Sequence, residues 1–271
     1  MNANHRQFPP QVMGILNITP DSFFAGSRRQ TEKEIVGQVI QMLEEGVDMI
    51  DVGACSSRPN AAWVSEEEEM TRLRFGLEVL FREAPQALVS IDTFRAGIAR
   101  ECVEKFGATI INDISAGALD EKMVDTVARL QVTYILMHMR GTPQTMMENT
   151  GYEKLIPDIL LFFAEKIQHL RQKGVRNIWI DPGFGFSKTT EQNYVILNNL
   201  DRFTAFDLPV LAGFSRKTMI REVLDISAEE ALNGTTALNM FALTKGADIL
   251  RVHDVKEAVQ TIQIYNKIRQ S

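Results

Sequence analysis

Eight short apolar runs punctuate the chain, and most are followed by a turn and then a stretch with helical spacing. They cover 12–18, 49–54, 88–93, 109–114, 133–139, 177–182, 209–214 and 248–252. The runs are continuous rather than alternating, as in parallel strands covered on both faces. Among the helical stretches, Ile35, Val39, Ile40, Met42 and Leu43 share one face, and Gly46 closes that helix. Leu155, Ile159, Phe163, Ile167 and Leu170 repeat every three or four residues, with Pro157 in the tolerant first turn and Gly174 past the end. Residues 228–245 and 255–269 supply the last helices, with an extra one after Lys217. Eight strand–helix units in 271 residues predict a single (β/α)8 barrel, one domain over 1–271. The rival is an open doubly wound sheet, but no Gly-x-Gly-x-x-Gly follows the first run.

The net charge of −6 argues against nucleic acid or an anionic membrane as partner. No apolar run approaches the roughly 18 residues of a membrane span, and the first ten residues hold no signal-peptide core. Two cysteines, Cys55 and Cys102, make neither a disulfide framework nor a zinc site. A cytoplasmic protein is the expectation.

In a barrel the chemistry gathers where strands end. Those positions hold Asn17, Ser56-Ser57-Arg58, Asp92, Asn112-Asp113, His138, Asp181, Ser215-Arg216-Lys217 and Arg251-Val252-His253-Asp254. Taken singly, Asp92, Asn112 and Asp113 could each be the cap of the next helix. Together they sort by charge. Arg58, Arg216, Lys217, Arg251 and His253 form a basic set on an acidic protein, with Lys217 in a first helical turn, where the dipole disfavours a cation. That pattern suits an anion, with surface salt bridges as the plainer reading. Asp92, Asn112 and Asp181 can meet the donors and acceptors of a flat nitrogen heterocycle; a water-filled polar network or a metal site are the alternatives.

The Asp181–Lys188 turn carries two glycines, with Phe184 and Phe186 available for stacking. The 19–29 loop, with Phe23 and Phe24, reads as a lid or as a plain surface loop. Residues 66–69, four glutamates after Ser65, read as the solvated start of a capped helix. His138 reads as a barrel-interior histidine with a hydrogen-bonded partner, not a general base.

These motifs resemble the dihydropteroate synthases. The resemblance is carried by Gly14-Ile-Leu-Asn-Ile-Thr-Pro-Asp-Ser-Phe23, Asp51-Val-Gly53, Ser57-Arg58-Pro59 and Ser90-Ile-Asp-Thr93. It continues through Ile111-Asn-Asp-Ile114, Met137-His-Met139, Asp181-Pro-Gly-Phe-Gly-Phe186, Ser215-Arg-Lys217 and Arg251-Val-His-Asp254. It implies condensation of 6-hydroxymethyl-7,8-dihydropterin diphosphate with p-aminobenzoate, giving 7,8-dihydropteroate and pyrophosphate, with diphosphate leaving before the amine attacks. By the same resemblance Asp92, Asn112, Asp181 and Lys217 hold the pterin. Asn17 meets Mg²⁺, and Asn17, Ser56, Arg58, Arg251 and His253 face the diphosphate. Phe23, Ser57, Pro59, Phe186, Lys217 and Thr218 lie near the aminobenzoate. Lys217, Asp181, Arg58, Arg251 and His253 carry the chemistry, in a homodimer that is a sulfonamide target.

The chain departs from the family pattern at Cys55-Ser-Ser-Arg-Pro-Asn60, where Glu-Ser-Thr-Arg-Pro-Gly is usual, and at Phe24-Ala-Gly-Ser27. These changes bear on aminobenzoate and sulfonamide affinity more than on the pterin. A pterin-binding methyltransferase would share the barrel but have little use for the Arg251/His253 pair. A catalytically silent paralogue is disfavoured by the presence of Asn17, Arg58 and Lys217.

Overall fold

A computed structural model describes residues 9–18, 28–55 and 64–271. The strands are β1 (Gln11–Asn17), β2 (Met49–Gly53), β3 (Val89–Asp92), β4 (Ile110–Asp113), β5 (Thr133–Met137), β6 (Ile178–Asp181), β7 (Leu211–Ala212) and β8 (Ile249–Val252). Each falls within one residue of, or inside, an apolar run of the sequence. The helices are α1 (Arg28–Glu44), α2 (Glu66–Glu83), α3 (Ala96–Phe106), α4 (Met123–Leu130), α5 (Leu155–Gln172), α6 (Thr190–Asn198), α7 (Thr218–Leu224), α8 (Leu232–Thr244) and α9 (Val255–Gln270). All strand pairs are parallel, in the order β6-β5-β4-β3-β2-β1-β8-β7, and an Ile180–Val210 bridge joins β6 to β7. The result is a (β/α)8 barrel with α7 as the extra helix. Among the described residues, no helix is long and apolar enough to cross a membrane.

Closure gives each strand an inner and an outer face with period two. Val12, Leu16, Ile50, Val52, Ile91, Ile111 and Leu136 pack outward into the main core beneath the helices. Met13, Met49, Ile110, Ile135, Leu211 and Ile249, with Trp179, form a separate apolar cluster that floors the barrel. Two residues further along stand Asp51, Asn112, Asp181 and Arg251, with Ile15, Met137 and Gly213 at the remaining positions. The polar layer therefore lies directly above an apolar floor, at the carboxyl ends of the strands.

Three expectations need correction. In α1, Ile35, Val39 and Met42 are buried, while Ile40 and Leu43 turn to solvent. The helix predicted from residue 228 begins at Leu232. Ser65 caps α2 by accepting from the Glu68 N–H, and Glu66–Glu68 are exposed, but Glu69 is wholly buried. Glu69 lies one turn before Leu73 and two before Leu77, on the inward stripe. Its carboxylate accepts from the Thr93 hydroxyl at 2.8 Å and pairs with Arg95. Burial raises its carboxyl; Thr93 and Arg95 pull the other way.

Candidate active site

The β6–α6 turn shows how the sequence builds one wall. Gly183 has φ +73°, and a Cβ there would lie 2.1 Å from the His138 carbonyl oxygen, so only glycine fits. Its N–H donates to Asp181 Oδ1 at 2.7 Å, fixing that buried carboxylate at the strand end. At the far end Thr189 and Gln192 form a capping box at the start of α6. Between them Lys188 is buried. Its ammonium reaches the carbonyls of His138 (3.2 Å), Gly183 (3.0 Å) and Phe186 (2.8 Å) and lies 3.0 Å from His138 Nδ1. Burial lowers its pKa to about 7. A residue that reads as the end of a loop is the pin that holds it.

This pin yields a prediction. Lys188→Met leaves three buried carbonyls without their donor and is expected to cost about 1–3 kcal/mol of stability. Affinity for a ligand bound at the strand ends should fall with it, because Asp181 and Phe186 are carried by the same turn. Thermal unfolding and calorimetric titration check both; unchanged values in each would remove Lys188 from this role.

His138 is buried and bonded, as expected, but it faces outward rather than into the barrel. It lies just past β5 and meets Phe162 of α5 edge-on at 4.8 Å. Burial first, then Lys188 and Arg140, push its pKa down, so it stays neutral.

Lys217 is the cap residue of α7 rather than a first-turn residue, and its side chain runs back toward β6. Nζ donates to the Phe184 carbonyl at 2.6 Å and lies 4.9 Å from the Phe186 ring centre. Burial lowers its pKa to about 8, against the pull of Asp181. The backbone reaches this position through Arg216 at φ +55°. Arg216 is held by a two-point ion pair with Asp254 (2.9 and 2.8 Å) and by the carbonyls of Ala228 and Glu229. It therefore leaves the predicted basic set and becomes a brace for the Lys217 turn.

Asp92 and Asn112 are register partners on β3 and β4. Arg251 enters between strands: its Nε donates to Asp51 Oδ2 at 2.7 Å and its Nη2 to Asp92 Oδ2 at 2.8 Å. Arg251, expected to face the diphosphate, thus spends two donors on carboxylates inside the barrel, and Nη1 bonds to no described residue. Burial raises the Asp92 carboxyl to about 7 although Arg251 opposes it. Burial also raises Asp181, with Lys217 the main opposing charge.

Asn17 ends β1, exposed at the rim. A Cβ at Gly53 would lie 3.6 Å from both Asn17 Oδ1 and Asp92 Oδ2, so glycine keeps the space between them open. His253 is exposed at the end of β8. Thr218 is exposed in the first turn of α7, where its hydroxyl accepts from Arg221 at 2.8 Å. Cys55 is half-buried; burial and Glu69 push its thiol up. A carboxylate at 55 would add to the negative field of Glu69 and Asp92. The expectations for Phe23, Ser56, Ser57, Arg58 and Pro59 lie outside the described residues.

The strand ends thus bring together Asp92, Asn112, Asp181, Lys217 and Arg251, and the sequence analysis assigns no site role to Asp51, Glu69 or Lys188. A signal existed for Asp51, since a charge inside an apolar strand needs a partner. Acceptors opposed by a cation above the floor of a barrel define a heterocycle-binding barrel enzyme.

Comparison with known proteins narrows this class. The model of the pterin binding enzyme family matches residues 13–253. The dihydropteroate synthase of Haemophilus influenzae is 39% identical over 259 residues, covering 94% of this chain and 93% of that one. The structure of Yersinia pestis dihydropteroate synthase in complex with a sulfonamide drug superposes with a TM-score of 0.90 at 37% identity, covering 97% and 95% of the two chains. That of the Xanthomonas albilineans enzyme with 4-aminobenzoic acid gives 0.89 at 35% identity, covering 97% and 94%. The chain belongs to the dihydropteroate synthases of the pterin-binding enzyme family.

Proposed function

We propose that the chain condenses 6-hydroxymethyl-7,8-dihydropterin diphosphate with p-aminobenzoate to form 7,8-dihydropteroate and pyrophosphate, in folate biosynthesis. The observation that carries this reading is the meeting of Asp92, Asn112, Asp181 and Lys217 above an apolar floor. The carboxylates and the amide oxygen accept from the N–H groups of the pterin, and Lys217 donates from the opposite side. Phe186, beside Lys217, offers a face for the aminobenzoate ring, and Thr218 stands at the helix start near its carboxylate. The Xanthomonas relative with 4-aminobenzoic acid and the Yersinia relative with a sulfonamide support this second subsite.

The diphosphate falls to Asn17, His253 and the remaining Nη1 of Arg251, joined by Ser56 and Arg58. The donor set suits Mg²⁺ brought in by the diphosphate, because that ion needs only one or two protein oxygens beside phosphate and water, and Asn17 Oδ1 borders the open space at Gly53. When bound, Mg²⁺ would neutralise charge on the leaving diphosphate. The methylene C–O bond breaks first, Arg251 and His253 stabilising the departing oxygen and Asp181 offsetting positive charge in the ring. The aromatic amine then supplies the electron pair for the new C–N bond and gives up a proton. No covalent enzyme intermediate is involved.

We also read the protein as a homodimer of the cytoplasm. Phe241, Ile264 and Ile268 are exposed apolar residues on the neighbouring helices α8 and α9, with Val223 and Leu224 exposed at the end of α7. Light scattering on the purified protein tests that state.

The deciding experiment is pyrophosphate release with Mg²⁺ and the dihydropterin diphosphate, with and without p-aminobenzoate. Aminobenzoate-dependent release with equal dihydropteroate is the expected result. Pterin binding without release would point to the silent paralogue.

The shifted groups add a pH prediction. Asp92 must be unprotonated to accept, so affinity for 6-hydroxymethyl-7,8-dihydropterin falls as pH drops below about 7. Lys217 must be protonated to donate, so affinity falls again above about 8. Titration calorimetry is expected to show the maximum between these values. Asp92→Asn should flatten the acid side relative to the parent protein, and Lys217→Arg the alkaline side; limbs that persist in these variants belong to other groups.

A further inference from the structure

Asp51 touches neither the rim nor solvent, yet it sits between two of the groups that line the pocket. It is wholly buried on β2, and its Oδ2 accepts from Asn112 Nδ2 at 3.0 Å and from Arg251 Nε at 2.7 Å. Arg251 can only donate. The oxygen it binds is therefore an acceptor, and the Asn112 amide must turn its NH₂ to that oxygen. This fixes an orientation that nitrogen and oxygen positions alone would leave ambiguous. Asn112 Oδ1 then points away from Asp51, and it accepts from no described residue. A side-chain amide that rotated freely could offer either a donor or an acceptor. Held by Asp51, Asn112 has one N–H committed and its Oδ1 fixed on the side away from Asp51, so an acceptor stands at a set place in the pocket.

Arg251 is fixed by the same residue. With Nε on Asp51 and Nη2 on Asp92, its guanidinium plane is tied at two points, and Asp92 in turn is oriented by Arg251. One buried carboxylate thus sets the direction of an amide directly and of a second carboxylate through an arginine. The apolar floor beneath leaves it no competing partner from that side. We propose that Asp51 is a positioning residue that determines specificity: it locks Asn112 as a hydrogen-bond acceptor, so that the pocket takes a heterocycle edge presenting an N–H there. The inference rests on the reading of Asn112 as a pterin-binding group. A pocket whose polar group cannot reorient rejects an edge that presents an acceptor, because the buried oxygen is left facing a lone pair.

The test removes the shared acceptor. Asp51→Ala releases the amide and is expected to weaken binding of 6-hydroxymethyl-7,8-dihydropterin about 10- to 100-fold, the range for a hydrogen bond to a charged group. The KM for p-aminobenzoate should change far less, since Phe186, Lys217 and Thr218 of that subsite lie on the loops after β6 and β7, a split that general misfolding would not produce. Asp51→Asn keeps an oxygen that can accept from both Asn112 and Arg251, with its NH₂ at the unpartnered Oδ1 position, and is expected to bind within a few-fold of the parent, a rescue that holds even if Asp51→Ala by itself is too unstable to assay. Asn112→Asp should weaken binding, by setting two carboxylates against each other. Unchanged affinity in Asp51→Ala, or an Asn112→Asp variant that binds as the parent does, would overturn the proposal. Asn112→Ala separates the two levels. Unchanged affinity there refutes the pterin role of Asn112 itself, whereas a loss there with none in Asp51→Ala refutes only the role of Asp51.

Discussion

Lys217→Ala is expected to lower turnover about 100- to 1,000-fold, the loss that follows removal of one preorganised donor, while the fold survives. The side chain is half-buried against the β6–α6 turn, bonded to the Phe184 carbonyl, beside the Phe186 ring and in the field of Asp181. It is the one lysine placed to serve both proposed substrates. Stability should change little. Lys217 makes no side-chain cap bond to α7, and its φ of −73° and ψ of 162° suit alanine as well. Steady-state rates with each substrate varied, together with a thermal melt, decide the matter. Near-normal turnover would withdraw Lys217 from the site, and a collapsed melt would show a structural role instead.

Arg251→Ala should act differently, and more severely on the fold. Arg251 is the cation between Asp51 and Asp92, and its loss strands two carboxylates in the barrel at close range. Removing one partner from a buried pair costs about 3–5 kcal/mol, which urea unfolding would register directly. From the sequence, the expected effect is a raised KM for the diphosphate substrate. The structure adds a second loss, in affinity for 6-hydroxymethyl-7,8-dihydropterin, which carries no diphosphate. If that ligand binds the variant as it binds the parent, Arg251 acts on the leaving group alone and the ion pairs are dispensable.

The places where the sequence reading failed share a cause. Glu69 was grouped with three solvated glutamates because charge dominated the pattern, although its spacing from Leu73 and Leu77 puts it on the buried stripe. Arg216 and Arg251 looked like members of one basic set. The first braces a turn through Asp254, and the second neutralises two acids across the barrel. His138 was read as interior, but on β5 it follows Tyr134 and Leu136 on the outer face. Lys188 looked like the polar end of a loop and is instead buried among carbonyls. The errors at the site concerned what a polar or charged side chain was facing, while the elements shifted only at their ends, as at the start of α8.

That division has a physical origin. Period, glycine placement and caps act over a few residues, so the eight strands, the turn at Gly183 and the chemistry collected at strand ends are written locally in the chain. Charge pairing is not local. Arg251 meets Asp92 across 159 positions and Asp51 across 200, and only closure of the barrel brings β8 beside β1 and its neighbours. The sequence by itself determined the barrel and the set of groups offered to a ligand. The tertiary structure decided which of those groups are spent on one another and which remain to bind, because burial leaves an unpaired charge no alternative but a partner.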